Sequence, residues 1–191
     1  MATTSIGSTG VTFPDASLQA TSGVTLVNGK GPGVVQSVLV SGTAVAATSG
    51  TSIDYTGIPS WAKCISIIFY NVSTTGASPV QIQIGSGAFV TTGYSSIASG
   101  FSGGGATTLG FSSGIVTGDS GASNFQRFGV IRLALVGSNL WSATGQLALP
   151  AIGQHVFAGG LGLSGALDRV RITTINGTDT FDSGSVNIIY E

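Results

Sequence analysis

At 191 residues with 42% hydrophobic side chains, the chain can bury a real core and is too apolar to remain a solvated coil. Only 7% of it is charged, 6 basic against 7 acidic residues with no basic run, which excludes the phosphate-neutralising surface that nucleic-acid binding needs. An average soluble protein carries roughly 25% charge, so most of this surface must be Ser, Thr, Gly, Asn and Gln.

Glycine, 31 of the 191 residues, breaks the chain into segments too short for stable helices, and Val, Ile, Thr and Phe fill the intervals. The expected fold is all-β: an antiparallel, jelly-roll-like β-sandwich over residues 34–191, preceded by a short extended N-terminal segment over residues 1–33. Met1 to Ser5 offers neither a basic nor an apolar leader, and no apolar run is long enough to cross a bilayer, so synthesis in the cytoplasm without membrane insertion is expected. Within the first segment, Val11-Thr12-Phe13-Pro14-Asp15 is strand-like and Gly29-Lys30-Gly31-Pro32-Gly33 reads as a linker. Too small to enclose a core, this segment is expected either to be disordered or to pack against other chains.

Strands are then expected at Val34 to Val40, Thr51 to Tyr55 and Lys63 to Val72, with the lone Cys64 as a small core residue. Pro79 to Ile84 alternates apolar and polar side chains and predicts a half-buried strand ended by Gly85-Ser86-Gly87. Phe89 to Thr92 follows, and Gly100 to Gly121 reads as a long mobile excursion. Further strands are expected at Phe128 to Val136, Leu140 to Ala143, His155 to Phe157, Arg169 to Ile175 and Ser185 to Tyr190.

Several strings imitate catalytic motifs. Gly160-Leu161-Gly162-Leu163-Ser164-Gly165 spells a dinucleotide fingerprint, but strand-like Arg169 to Thr174 follows where a helix must begin. Gly110-Phe111-Ser112-Ser113-Gly114, with Asp119 and His155 after it, has the order of an α/β-hydrolase triad but no helix to carry the serine. Gly118-Asp119-Ser120-Gly121 matches a serine-protease loop, with the single His155 on the wrong side of it. No catalytic residue and no cofactor are therefore assigned. The carboxylates Asp54, Asp119, Asp168, Asp179 and Asp182 supply glycosidase or cation chemistry only if they converge, and Asp179 with Asp182 has the best spacing for a cation. Turn and ion-pair roles, Asp168 with Arg171 for example, are the plainer expectation. Of the aromatics, Trp61 is expected in the core, while Tyr94, Phe101 and Trp141 sit among polar residues as candidates for stacking against a sugar. The sequons Asn71-Val72-Ser73 and Asn176-Gly177-Thr178 have meaning only in a eukaryotic secretory pathway.

Three phrases carry a resemblance: Val11-Thr12-Phe13-Pro14-Asp15-Ala16-Ser17-Leu18-Gln19, Thr51 to Lys63, and Leu163 to Glu191 with its Leu167-Asp168-Arg169-Val170-Arg171-Ile172-Thr173 core. Together they resemble bacteriophage tail-fibre and related virion structural proteins, with Ala16 where the first phrase usually has Gly. The resemblance implies a homotrimer, an N-terminal strand that docks on other virion proteins (Val11, Phe13, Pro14 and Leu18 here), and a distal β domain facing the host. The expected function is that of a short, non-enzymatic tail-fibre subunit whose loops around Tyr94, Phe101 and Trp141 meet a host-surface polysaccharide. A capsid decoration or head-fibre protein with a cementing role is the alternative, and a polysaccharide depolymerase a more distant one. A neutral, hydroxylated surface fits either particle role, since repeated copies raise avidity and close open strand edges.

Overall fold

The structure, a computed structural model, describes residues 5–7, 10–12, 18–20 and 39–191, apart from 103, 104, 119–122, 124 and 151. The chain divides into two compact units, Met1–Val38 and Leu39–Glu191. In the first, β1 (Ser5–Gly7), β2 (Gly10–Thr12) and β3 (Leu18–Ala20) pair antiparallel, Ser5 opposite Thr12 and Thr12 opposite Leu18. The segment expected to be extended thus folds back on itself. Val11 belongs to β2 and Leu18 opens β3, whereas Phe13 and Pro14 lie outside the described residues.

The second unit is a sandwich of two antiparallel sheets with no helix among the described residues. Its larger sheet has nine strands: β4 (Val40–Ser41), β5 (Val45–Ala46), β7 (Cys64–Thr74), β10 (Ser95–Ser102), β11 (Gly105–Phe111), β13 (Arg127–Gly137), β14 (Leu140–Leu149), β15 (Gly153–Gly162) and β17 (Phe181–Tyr190). Across it the order is β11-β10-β15-β14-β13-β7-β17-β4, with β5 also on β17. The smaller sheet has five: β6 (Ser52–Thr56), β8 (Val80–Ser86), β9 (Ala88–Phe89), β12 (Ile115–Val116) and β16 (Arg169–Thr174), in the order β12-β8-β16-β6 with β9 on β8. From β6 to β8 the chain changes sheet at every connection, as a jelly roll does, while β13-β14-β15 is a meander within one sheet.

Period-2 patterning builds the core between the sheets. Ile65, Ile67 and Phe69 of β7, Ile131 and Leu133 of β13, and Leu147 and Leu149 of β14 face Ile53, Val80, Ile82, Ile84, Val170 and Ile172 of the smaller sheet, and all are buried. Two tyrosine hydroxyls add polar ties. The Tyr55 hydroxyl of β6 donates to the Val186 carbonyl of β17 at 2.7 Å, and the Tyr94 hydroxyl, just ahead of β10, meets the backbone of β8. Where β7 and β17 slip register, Gly184 sits at φ +93, and a Cβ there would come within 2.3 Å of the Asn71 carbonyl oxygen, so only glycine fits the bulge.

Four expectations are corrected. Gly100 to Gly121 is not a long excursion: most of it is the end of β10, then β11 and β12, with Ser96 opposite Phe111 and Ser99 opposite Thr108. β8 is buried on both faces, because the 112–114 segment covers the glutamines: the Ser113 hydroxyl donates to Gln81 Oε1 at 2.8 Å and Gln83 Nε2 donates to the Ser113 carbonyl at 3.0 Å. Trp61 is 45% exposed, since the 59–62 turn carries Ile58 and Ala62 inward in its place and leaves its ring against Tyr190. Asp168 pairs with its neighbour Arg169 at 2.7 Å, and Arg171 takes Asp54, which faces it directly across β16 and β6.

Candidate functional site

The three aromatics expected to meet a glycan do not come together. Tyr94 and Trp141 are each only 4% exposed and cannot stack on an external sugar, which corrects their assignment. The Tyr94 hydroxyl lies 2.7 Å from the Ile84 amide, whose proton it accepts, and 2.9 Å from the Val90 carbonyl, to which it donates. Burial pushes it up to about 12. Trp141 sits on the inner face of β14, opposite Leu135 and Leu161. Phe101 alone is open, 42% exposed on the outer face of β10. The other exposed rings are Trp61, which the sequence placed in the core, and Tyr70, which it did not single out, the latter 67% exposed and edge-on to Phe128 at 5.4 Å. Tyr70 hides in a run that reads as uniformly apolar; only the register of β7 turns it outward.

Three arginines are paired with carboxylates. Arg132 meets Glu191 at 3.0 Å, Arg169 meets Asp168, and Arg171 grips Asp54 through Nε at 2.8 Å and Nη2 at 2.6 Å. Arg169 holds the Asp168 carboxyl below its ordinary range, and the Gly87 amide helps. Arg127 is 1% exposed, donates through Nη1 to the Phe125 carbonyl, and burial lowers it to about 10 while the Asp182 charge pulls the other way. Asp182 itself accepts from the Ser73 hydroxyl. Asp179 is a turn residue: one oxygen accepts from the Ser78 amide at 2.9 Å and the other from Asn176 Nδ2 at 2.7 Å. The pair considered for a cation is therefore divided between two structural roles, and among the described residues no three His, Cys, Asp or Glu side chains gather for a metal. His155 is buried in β15, Asp119 lies outside the described residues, and the glycine-rich strings around 110 and 160 run through strands.

Two surfaces remain. One is the outer face of the nine-stranded sheet. The register places Ile97, Ala158, Thr144, Arg132 and Ser66 in one row, and Thr108, Ser99, Val156, Gln146, Val130 and Ile68 in the next. Ile97, Phe101, Val130 and Tyr70 are between 42% and 67% exposed here, and the one cation in these rows, Arg132, is neutralised by Glu191. The other is a polar groove of about 360 Å³ on the outside of the five-stranded sheet, lined by Ser52, Gln81, Gln83, Arg171, Thr173 and Gly177 among others.

Fold and surfaces together define a class: a charge-poor antiparallel β-sandwich with a wide sheet face whose described cation, Arg132, is paired with Glu191. No family model matches the chain, and no curated protein matches it. Among solved structures, the crystal structure of a protein of unknown function from Shewanella oneidensis MR-1 is similar over 80% of this chain and 77% of that one, at 8% identity and a TM-score of 0.29. Similarity at that level leaves the functional reading to the surfaces.

Proposed function

We propose that the chain is a structural protein of a phage virion, a short tail-fibre subunit that assembles as a homotrimer, docks through residues 1–33 on other virion proteins and presents its sandwich to a host-surface glycan. The observation that carries this reading is the outer face of the larger sheet. Its rows combine β-branched and aromatic side chains with hydroxyls and amides, and its only ion pair among the described residues is internal. Such a face has neither the charge that keeps a surface solitary nor the charge that selects an unlike partner, and it suits contact between identical copies. The pairing of Arg132, Arg169 and Arg171 with Glu191, Asp168 and Asp54 supports the non-enzymatic side of the proposal, because those three acids are already held by cations and unsuited to proton transfer.

A capsid decoration protein with a cementing role would use the same face, and position on the particle separates the two. Particles banded on a density gradient should carry the chain, and gold-labelled antibody against the sandwich should decorate the tail tip. Label on the capsid would select the cementing role; a chain that stays in the soluble fraction would refute both.

A further inference from the structure

The groove on the five-stranded sheet is built from register. Outward residues of β6, β16 and β8 fall in two rows, Ser52–Thr173–Gln81 and Asp54–Arg171–Gln83, while their neighbours Ile53, Val170, Ile172 and Ile82 point into the core. Its polar groups are fixed before any ligand arrives. Gln81 Nε2 donates to the Thr174 carbonyl and its Oε1 accepts from Ser113, so that amide cannot turn. Thr173 donates to the Thr51 carbonyl at 2.8 Å. Arg171 is clamped by Asp54 on one side and rests on the Phe89 ring, 4.1 Å from its centroid, on the other.

Gln83 is the exception. Its Nε2 end must face the Ser113 carbonyl, which can only accept, so Oε1 is the end left to the groove. The side chain is 6% exposed, and its Oε1 accepts no hydrogen bond from any described residue. Solvent reaches this oxygen in the open groove, so it is available to accept from a ligand hydroxyl. Next to it Arg171 has used two of its five N–H groups on Asp54. The groove thus offers a fixed acceptor beside fixed donors, and its one cation is already neutralised by the Asp54 carboxylate, which also repels anions.

We propose that this groove is a saccharide subsite that takes a neutral hexose unit, one ring hydroxyl donating to Gln83 Oε1 while a neighbouring hydroxyl accepts from the Arg171 guanidinium. Vicinal hydroxyls, each both donor and acceptor, match this alternation. A carboxylate or phosphate would need an unpaired cation, and an apolar ligand would strand the amides. The proposal gives the glycan contact a place and rests on the adsorption reading for its biological use, although binding itself does not depend on how the chain is mounted.

The test uses the purified full chain and a panel of neutral oligosaccharides containing glucose, galactose, mannose and N-acetylglucosamine, with uronate- and sialate-bearing ones alongside, read by saturation-transfer NMR and titration. At least one neutral saccharide should bind, and Gln83→Met and Ser52→Tyr should each weaken it about tenfold or more. Ser52→Tyr fills the groove from an edge strand where an aromatic is well tolerated, so it remains informative if Gln83→Met folds poorly. Binding by acidic saccharides alone, no binding by any neutral one, or binding indifferent to Ser52→Tyr would overturn the proposal. Failure of the fibre reading shows separately, as a chain absent from particles that still binds sugar.

Discussion

Tyr94 illustrates how one hydroxyl can matter more as a fastener than as a surface. It accepts from the Ile84 amide and donates to the Val90 carbonyl, bridging β8 to the approach of β10. Tyr94→Phe keeps the ring but leaves the Ile84 amide without that partner, and should cost about 1–3 kcal/mol in chemical denaturation. The same hydroxyl sets an alkaline limit. Its folded value near 12 lies above the unfolded value of about 10, so its stabilisation is complete below pH 10 and lost as pH rises towards 12. Arg127 works in the opposite direction: its folded value near 10 is depressed, so the cost of burying its charge is relieved as pH climbs above 10. Comparing the wild type with Tyr94→Phe between pH 9 and 12 isolates the tyrosine, and the variant should lose less stability over that range.

Arg127 is a second residue whose chemistry is legible only in three dimensions. Its Nη2 finds no partner among the described residues although the side chain is 1% exposed. Replacing a buried, incompletely paired cation with an apolar side chain of similar length is often neutral or stabilising. Arg127→Met should therefore melt within a few degrees of the wild type, or above it. A loss of about 3–5 kcal/mol would mean that the guanidinium holds a strong pair.

Among the elements, the β13–β14 hairpin turns through Ser138 at φ 48 and Asn139 at φ 63, two consecutive left-handed residues between the paired Gly137 and Leu140. That geometry is a two-residue type I′ turn, which favours Asn-Gly. The double substitution Ser138→Asn with Asn139→Gly should raise stability by about 1 kcal/mol in urea titration.

The strands that the sequence shortened share a cause. Leu140 to Ala143 and His155 to Phe157 are fragments of ten-residue strands, and in each case glycine makes them look shorter. Those glycines are interior residues under steric demand: a Cβ on Gly145 would lie 2.4 Å from Phe157 Cζ, and one on Gly160 would lie 2.7 Å from the Trp141 carbonyl oxygen. Read along the chain, such a glycine is indistinguishable from a turn; only the neighbouring strand reveals it. Alternation in Pro79 to Ile84 located β8 correctly, but nothing in that string announces that Ser113 will cover its polar face and create the groove.

For the whole molecule, the composition argument holds best. Scarce charge and abundant β-branched residues imply a neutral β-sandwich, and two antiparallel sheets around one core are what form. The candidate site was much less legible. Whether an aromatic among polar neighbours points out, as Phe101 does, or in, as Tyr94 and Trp141 do, is a one-residue matter of register. The groove depends on contacts between residues more than 100 positions apart, such as Arg171 with Asp54.

The proposed function requires the outer face of the larger sheet to be a contact between copies. The direct measurement is the mass of the full chain in solution by sedimentation equilibrium at micromolar concentration, for the wild type and for Ile97→Lys with Val130→Lys. Both positions are about half exposed, so the substitutions should leave fold stability within about 0.5 kcal/mol. The account predicts three times the 18.9 kDa subunit mass for the wild type and the single-subunit mass for the folded double variant. A wild type that sediments as a folded monomer, or a double variant whose trimer is undiminished, would contradict it.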